Sequence, residues 1–367
     1  MRRYAFLIGL MAVAVVAAGV ARAEVSIEQL MIEADLAEGP VAARELKGWR
    51  TPKKIVVRDA LGLAERLQAD YPETQIIGVD TSAGAAAQAA GADAIIGFCS
   101  DDIVAAADSL VWIQIFSAGA ERCLAVDKVG NGEILLTNMQ KMSSPVIGEH
   151  AVAMMMSLTR GLVPYAKVMR EGAWQRGLTA RAGMTSLSGK TVLVVGLGGI
   201  GTAVARRAHG LGTRVIAMRN SSRSGPDYVD YVGLSDELLE LAAQADVVVS
   251  ALPLTPKTTN LFDRAFFDAV KPGALFINVG RGGSVVTDEL VAALKDGRIA
   301  GAGLDVTQPE PLPANHPLWQ MDNVIITPHV SSSGGERERH GVLVNENVRR
   351  FIAGDKLLNV VDPQKGY

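Results

Sequence analysis

Three ionisable residues each follow an apolar run in the last third of the chain. Arg281 comes after "ALFINVG", Glu310 sits in the loop "TQPEPLP" beyond "GAGLDV", and His329 closes "NVIITPH". Taken singly, an arginine capping a loop, a glutamate on a proline-rich turn and a histidine bonded to backbone are ordinary. Together, at successive strand ends after the glycine-rich, dinucleotide-type turn of Gly196 to Gly201, they are the equipment for hydride transfer to a 2-oxoacid. Such a transfer builds negative charge on the carbonyl oxygen, and an imidazole can give that oxygen a proton and take it back near neutral pH. A carboxylate beside the imidazole stabilises the imidazolium and fixes the ring's tautomer. A fixed cation clamps the substrate's carboxylate and polarises its carbonyl. His329 is therefore the candidate acid/base, Glu310 its partner and Arg281 the clamp, with Gly280, Gly282 and Gly283 leaving room for approach.

The other histidines fit this chemistry less well. His150 and His209 lie in helical runs, His316 in a proline-bounded loop, and His340 in the charged start of a helix. No pair has metal-ligand spacing, so no metal is expected. There is no Gly-x-Ser-x-Gly elbow for acyl transfer.

The cofactor is suggested by "TVLVVGLGGIGTAVARRAHGLGTRVIAMRNSSR", Thr191 to Arg223. Gly196, Gly198 and Gly201 follow an apolar strand and open a helix, the context in which a glycine pattern marks a dinucleotide turn. The first permits the tight turn, the second lets pyrophosphate approach the backbone, and the third lets helix pack on strand. The helix amino terminus favours the phosphates. An acid usually ends the next strand and accepts hydrogen bonds from the adenosine ribose. Here "TRVIAM" ends in Arg219, followed by Asn220, Ser221, Ser222 and Arg223. Guanidinium and hydroxyl donors suit a 2′-phosphate, which an acid would repel. NADP(H) is expected, with NAD(H) as the alternative.

These residues need strands to hold them. Short β-branched runs at Lys54–Arg58, Gln75–Val79, Ala94–Phe98 and Val111–Phe116 alternate with alanine-rich helical stretches, and the alternation resumes from Thr191. This predicts an α/β chain with parallel sheets in two domains, joined by the helical block "SPVIGEHAVAMMMSLTRGLVPYAKVMREG". The 367 residues are 49% hydrophobic and 20% charged, enough to bury two cores. A net charge of −3, without basic blocks, argues against a nucleic-acid partner. Cys99 and Cys123 lie in apolar surroundings and are expected to be buried thiols rather than a bridge or a nucleophile. The amino terminus, "MRRYAFLIGLMAVAVVAAGVARAE", has Arg2 and Arg3, an apolar run and Ala21-Arg22-Ala23, and reads as a signal peptide over 1–23. A periplasmic or secreted protein follows; an uncleaved anchor with the enzyme on the cytoplasmic face is the alternative. The paired arginines also admit twin-arginine export.

The segments "WIQIFSAGAERC", "VVGLGGIG", "NVGRGGSVVTDELVAALKDGRIAGAGLDV", "PEPLPANHPLW" and "NVIITPH" together resemble the D-isomer-specific 2-hydroxyacid dehydrogenases, which include glyoxylate/hydroxypyruvate reductases. The resemblance puts the family's catalytic arginine, glutamate and histidine on Arg281, Glu310 and His329. It implies a flavodoxin-like substrate domain (24–138 and 326–367) with a Rossmann coenzyme domain (139–325) inserted. It also implies that backbone amides around Ser117, Ala118 and Gly119 face the substrate carboxylate. Asp305 would meet the nicotinamide carboxamide, and Gly199 and Ile200 the pyrophosphate. The helix after "SSPVIGEH" resembles a dimerisation helix, so a homodimer is implied. Two positions depart from the family: Arg219 replaces an acid, and Glu121 stands where an aspartate is common. The activity expected is reduction of a small 2-oxoacid to a D-2-hydroxyacid. The alternatives are a dinucleotide-sensing binding protein without turnover and a formate dehydrogenase, in which Glu310 would have no clear use.

Overall fold

The computed structural model describes residues 25–178, 183–220, 222–334 and 337–366. The signal-peptide segment 1–23 and Ser221 lie outside the described residues. Two parallel sheets organise the chain. The first has the order β3-β2-β4-β5-β6, with β2 Lys54–Arg58, β3 Gln75–Val79, β4 Ala94–Ile96, β5 Trp112–Gln114 and β6 Leu135–Thr137. The second has seven strands in the order β13-β12-β11-β10-β7-β8-β9. These are β7 Thr191–Val195, β8 Arg214–Met218, β9 Tyr231–Gly233, β10 Val247–Ser250, β11 Ala274–Asn278, β12 Ile299–Leu304 and β13 Val324–Ile326.

Strands with helices on both faces are apolar at every position rather than at alternate ones. β10 (VVVS) and β11 (ALFIN) are accordingly buried throughout. Under one face of the larger sheet, Phe262 meets Phe266 and Phe276 edge-on, with centroids 4.8 and 5.1 Å away. Each such pair adds about 0.5–1.5 kcal/mol to its area burial. This is the rigid platform behind the strand ends that carry the charged groups.

The last segment returns to the first sheet. The helix Arg337–Ala353 buries Leu343, Val344, Val348 and Phe351, and Phe351 packs on Trp112 of β5 with centroids 5.0 Å apart. β14 (Lys356–Leu358) pairs antiparallel with β1 (Glu38–Ala42), a two-stranded element that residue patterning did not suggest. The long helical block divides into Ser144–Thr159 and Leu162–Arg170. Gly161 between them takes φ 62°, a left-handed turn that glycine adopts without steric cost.

One expectation is overturned. Cys99 and Cys123 are not free thiols but a disulfide, with Cα atoms 5.5 Å apart and a separation of 24 positions in sequence. β4 and β5 are neighbours, so the loop after one and the one-turn helix Glu121–Leu124 after the other converge at the same sheet edge. Separation along the chain carries no trace of that convergence, although the Cα distance is the usual one for a bridge.

Candidate active site

In a parallel sheet every strand delivers its carboxyl end to one edge, where ligands of open α/β sheets bind. Asn278, Leu304 and Ile326 stand in register across β11, β12 and β13. Arg281 lies three residues beyond the first, Asp305 one beyond the second and His329 three beyond the third. With about 4.8 Å between strands, the outer two are about 10 Å apart in the sheet. β7, which carries the glycine turn, lies beyond β10 on the other side of β11, and β8, which carries Arg219, follows it.

His329 Nδ1 is 2.7 Å from Glu310 Oε1, and the two side chains are about equally half-exposed. With Nδ1 taken, Nε2 is the nitrogen left to exchange a proton. The histidine has φ 54°, unusual for a residue with a Cβ, and its surroundings hold it there. Its amide donates to Asp305 O at 2.8 Å. The Asp305 carboxylate, 1% exposed, accepts from Thr327 Oγ1 (2.7 Å), Val330 N (2.9 Å) and Ser331 N (3.1 Å). Burial alone would raise its pKa. Hydrogen bonds from Ser331, Thr327 and Val330 outweigh burial and hold the carboxyl below its usual range. Asp305 thus fastens the loop that presents His329, a task that its sequence context did not suggest. His150, from the helix Ser144–Thr159, adds a bond of 2.9 Å to Thr327 Oγ1.

Arg281 follows β11 of the larger sheet but is held from the segment after β5 of the smaller one. Its Nε donates to Glu121 Oε1 at 3.0 Å and its Nη1 to Gly280 O at 2.9 Å. Its Nη2 rests on Gly119, where a Cβ would overlap it. In the adjoining loop the carbonyls of Ser117, Ala118 and Gly119 accept from Met139 N, Asn138 Nδ2 and Ser117 Oγ, at 3.0, 2.7 and 2.8 Å. Their three amides have no acceptor among the described residues. Free amides beside a guanidinium make a concavity suited to a carboxylate.

The glycine turn has the form a dinucleotide needs. Gly196 takes φ 99°, and a Cβ on Gly201 would collide with the Gly196 carbonyl. Gly199 starts the helix Gly199–Gly210, with Gly198 as its cap and Ile200 in the first turn. At the end of β8, Arg219 Nη1 donates to Ser224 O at 3.0 Å and has no ion-pair partner among the described residues. Arg223 is already paired, 2.6 Å from Glu237 Oε1 and 2.8 Å from Tyr231 Oη. That contact, first among several, lowers the Glu237 pKa to about 2. The open cradle and the unpaired arginine fit a dinucleotide bearing an extra phosphate. Among the described residues no group of three or more His, Cys, Asp or Glu side chains could hold a metal ion.

The family model for the D-isomer specific 2-hydroxyacid dehydrogenase NAD binding domain matches residues 152–331. A Corynebacterium melassecola protein is 42% identical over 179 residues, 48% of this chain and 59% of that one. The human glyoxylate reductase/hydroxypyruvate reductase is 34% identical over 274 residues, 73% of this chain and 83% of that one. Among solved structures, a Sinorhizobium meliloti NADPH-dependent glyoxylate/hydroxypyruvate reductase, in complex with NADP and sulfate, is similar with a TM-score of 0.74. It is 26% identical and covers 86% of this chain and 100% of its own. The chain belongs to the D-isomer-specific 2-hydroxyacid dehydrogenases.

As a member of that family it is an oxidoreductase of the NAD(P)-dependent class that acts on CH–OH donors. In this dehydrogenase, Arg281, Glu310 and His329 lie at one sheet edge together with the glycine turn and Arg219. Two features of the dehydrogenase escaped residue patterning. Glu121 as the partner of Arg281 is signalled only by its place two residues after Gly119, and the His150–Thr327–Asp305 network has no sequence signature.

Proposed function

We propose that this dehydrogenase reduces a small 2-oxoacid of the glyoxylate or hydroxypyruvate kind to its D-2-hydroxyacid, preferring NADP(H). The contact between His329 and Glu310 carries this reading, because an acid/base pair has no use in a protein that only senses a dinucleotide. Nicotinamide C4, when the cofactor is bound, supplies or receives the hydride. The chain does the rest. Arg281 and the amides of Ser117, Ala118 and Gly119 hold the substrate carboxylate and set the carbonyl's orientation. The same guanidinium stabilises charge developing on the carbonyl oxygen. His329, as the imidazolium, delivers a proton to that oxygen from Nε2 and is left neutral, and Glu310 holds the ring and stabilises the imidazolium from which the proton leaves and to which it returns in the oxidative direction. Asp305 keeps the histidine loop in place. Arg219 would take the 2′-phosphate, Gly198, Gly199 and Ile200 the pyrophosphate, and Gly196 and Gly201 shape the turn.

Two further proposals concern setting. A homodimer is supported by the helix Leu162–Arg170, which buries none of its own residues, and by Leu162, Met169 and Trp174, exposed at 52%, 70% and 89%. Large exposed apolar groups on one short segment suit an interface. Export to the periplasm or beyond is supported by the leader and by the bridging of both cysteines, since disulfides persist in oxidising compartments. An exported reductase would need to carry its cofactor with it.

Purified protein, NADPH and a panel of 2-oxoacids, followed at the nicotinamide absorbance band, test the activity. Oxidation with glyoxylate or hydroxypyruvate is expected; binding without oxidation across the panel would favour the sensor. Cell fractionation with amino-terminal sequencing tests export, the expected first residue being Glu24.

A further inference from the structure

Arg281 is held by a residue from the segment after β5 of the smaller sheet, on a turn that has little to hold itself. Glu121 begins a helix of only four residues, Glu121–Leu124, too short to be stable on its own. Two residues on, Cys123 is 3% exposed and bridged to Cys99, which lies in the loop after β4. The chain of contacts therefore runs from the β4 loop through the disulfide to this turn, then through Glu121 to the Nε of Arg281 at 3.0 Å. Nη1 is fixed by the Gly280 carbonyl. With those two nitrogens anchored, the guanidinium plane is set, and the N–H groups of Nη1 and Nη2 not used in these contacts are left to bind a carboxylate.

A carboxylate beside the clamp is costly if charge alone matters, because it repels the substrate's own carboxylate. The glutamate makes sense if placing the arginine is worth more than the repulsion. We propose that Glu121 is a positioning residue for the substrate clamp, and that the Cys99–Cys123 disulfide positions Glu121.

This rests on the reading of Arg281 as the clamp, so the test includes Arg281→Ala. The measurements are KM for glyoxylate, kcat and the NADPH dissociation constant by fluorescence, with thermal unfolding as the control for folding. Glu121→Ala is expected to raise KM at least ~10-fold with NADPH affinity unchanged, since small misplacements of binding groups cost about 100-fold. Glu121→Gln, whose amide oxygen can still accept the Nε–H, is expected to stay near the wild-type KM. Cys99→Ala/Cys123→Ala is expected to raise KM in the same direction, and to add nothing further in the Glu121→Ala background, as groups acting through one another are non-additive.

An unchanged or lowered KM in Glu121→Ala overturns the proposal, because the glutamate would then act as a repelling charge or not at all. A rise in Glu121→Gln as large as in Glu121→Ala overturns it too, by putting the effect in charge rather than placement. A cysteine pair that lowers only the unfolding temperature, or that multiplies the Glu121→Ala effect, removes the disulfide from the chain of contacts. Should Arg281→Ala leave KM unchanged, the clamp reading itself fails; should Arg281→Ala raise it and Glu121→Ala not, only the positioning role does.

Discussion

Replacing Arg219 with aspartate should reverse cofactor choice. Arg219 closes β8 and has no ion-pair partner among the described residues, so its guanidinium is available to a 2′-phosphate. A charge-assisted hydrogen bond is worth about 2 kcal/mol net, and an aspartate at about 4 Å from the phosphate adds about 1 kcal/mol of repulsion in a water-like dielectric. The sum, about 3 kcal/mol, is about a hundredfold in kcat/KM for NADPH. Arg219→Ala, which removes only the attraction, should cost about 30-fold. Neither change should lower kcat/KM for NADH. Arg223 cannot compensate while Glu237 and Tyr231 hold it, so Glu237→Gln, which weakens that hold, should strengthen the NADPH preference. Initial rates with each cofactor at saturating oxoacid give the ratio directly. If Arg219→Asp left the NADPH/NADH ratio where it was, the assignment of the β8 end to the 2′-phosphate would be wrong.

Other outcomes follow from the same geometry. Gly119→Ala puts a methyl where the Arg281 Nη2 lies, and should raise KM for the oxoacid while NADPH affinity, read by fluorescence titration, stays constant. Glu310→Gln keeps a partner for His329 Nδ1 but removes the charge that stabilises the imidazolium; kcat should fall by about 10–100-fold, measured in steady state. Asp305 has a depressed pKa in the folded protein, so its contribution to stability is present above its ordinary value of 3.8 and is lost as the pH falls through the lower folded value. Asp305→Asn should therefore be less stable than wild type in urea at neutral pH, and the gap should narrow only as the pH falls below 3.8 toward the lower value at which the folded aspartate protonates.

The sequence made legible whatever depends on local pattern. The strands at Lys54–Arg58 and Gln75–Val79 have the expected bounds because apolar runs bounded by turn residues define them. Gly196 to Gly201 could be read because the turn needs glycine at fixed offsets along the chain. Arg281, Glu310 and His329 were visible because parallel strands deliver their ends to one edge, which makes strand-end position a proxy for location. What stayed hidden depends on contacts between distant segments. The Cys99–Cys123 bridge, the Glu121–Arg281 pair and the β1–β14 ladder each join residues that share no local signal. The pairing of Arg223 with Glu237 was hidden for the same reason, although the two cations of that loop look equivalent in sequence.

The central claim is that Arg281, Glu310 and His329 form one reducing site around a bound nicotinamide. Steady-state NADPH oxidation with glyoxylate, wild type against His329→Gln, tests it most directly. Loss of a positioned acid typically costs 10²–10⁴-fold, so the variant should lose about a hundredfold or more in kcat while binding NADPH as tightly as wild type. A variant that turns over glyoxylate at the wild-type rate would contradict the assignment of His329 as the proton donor.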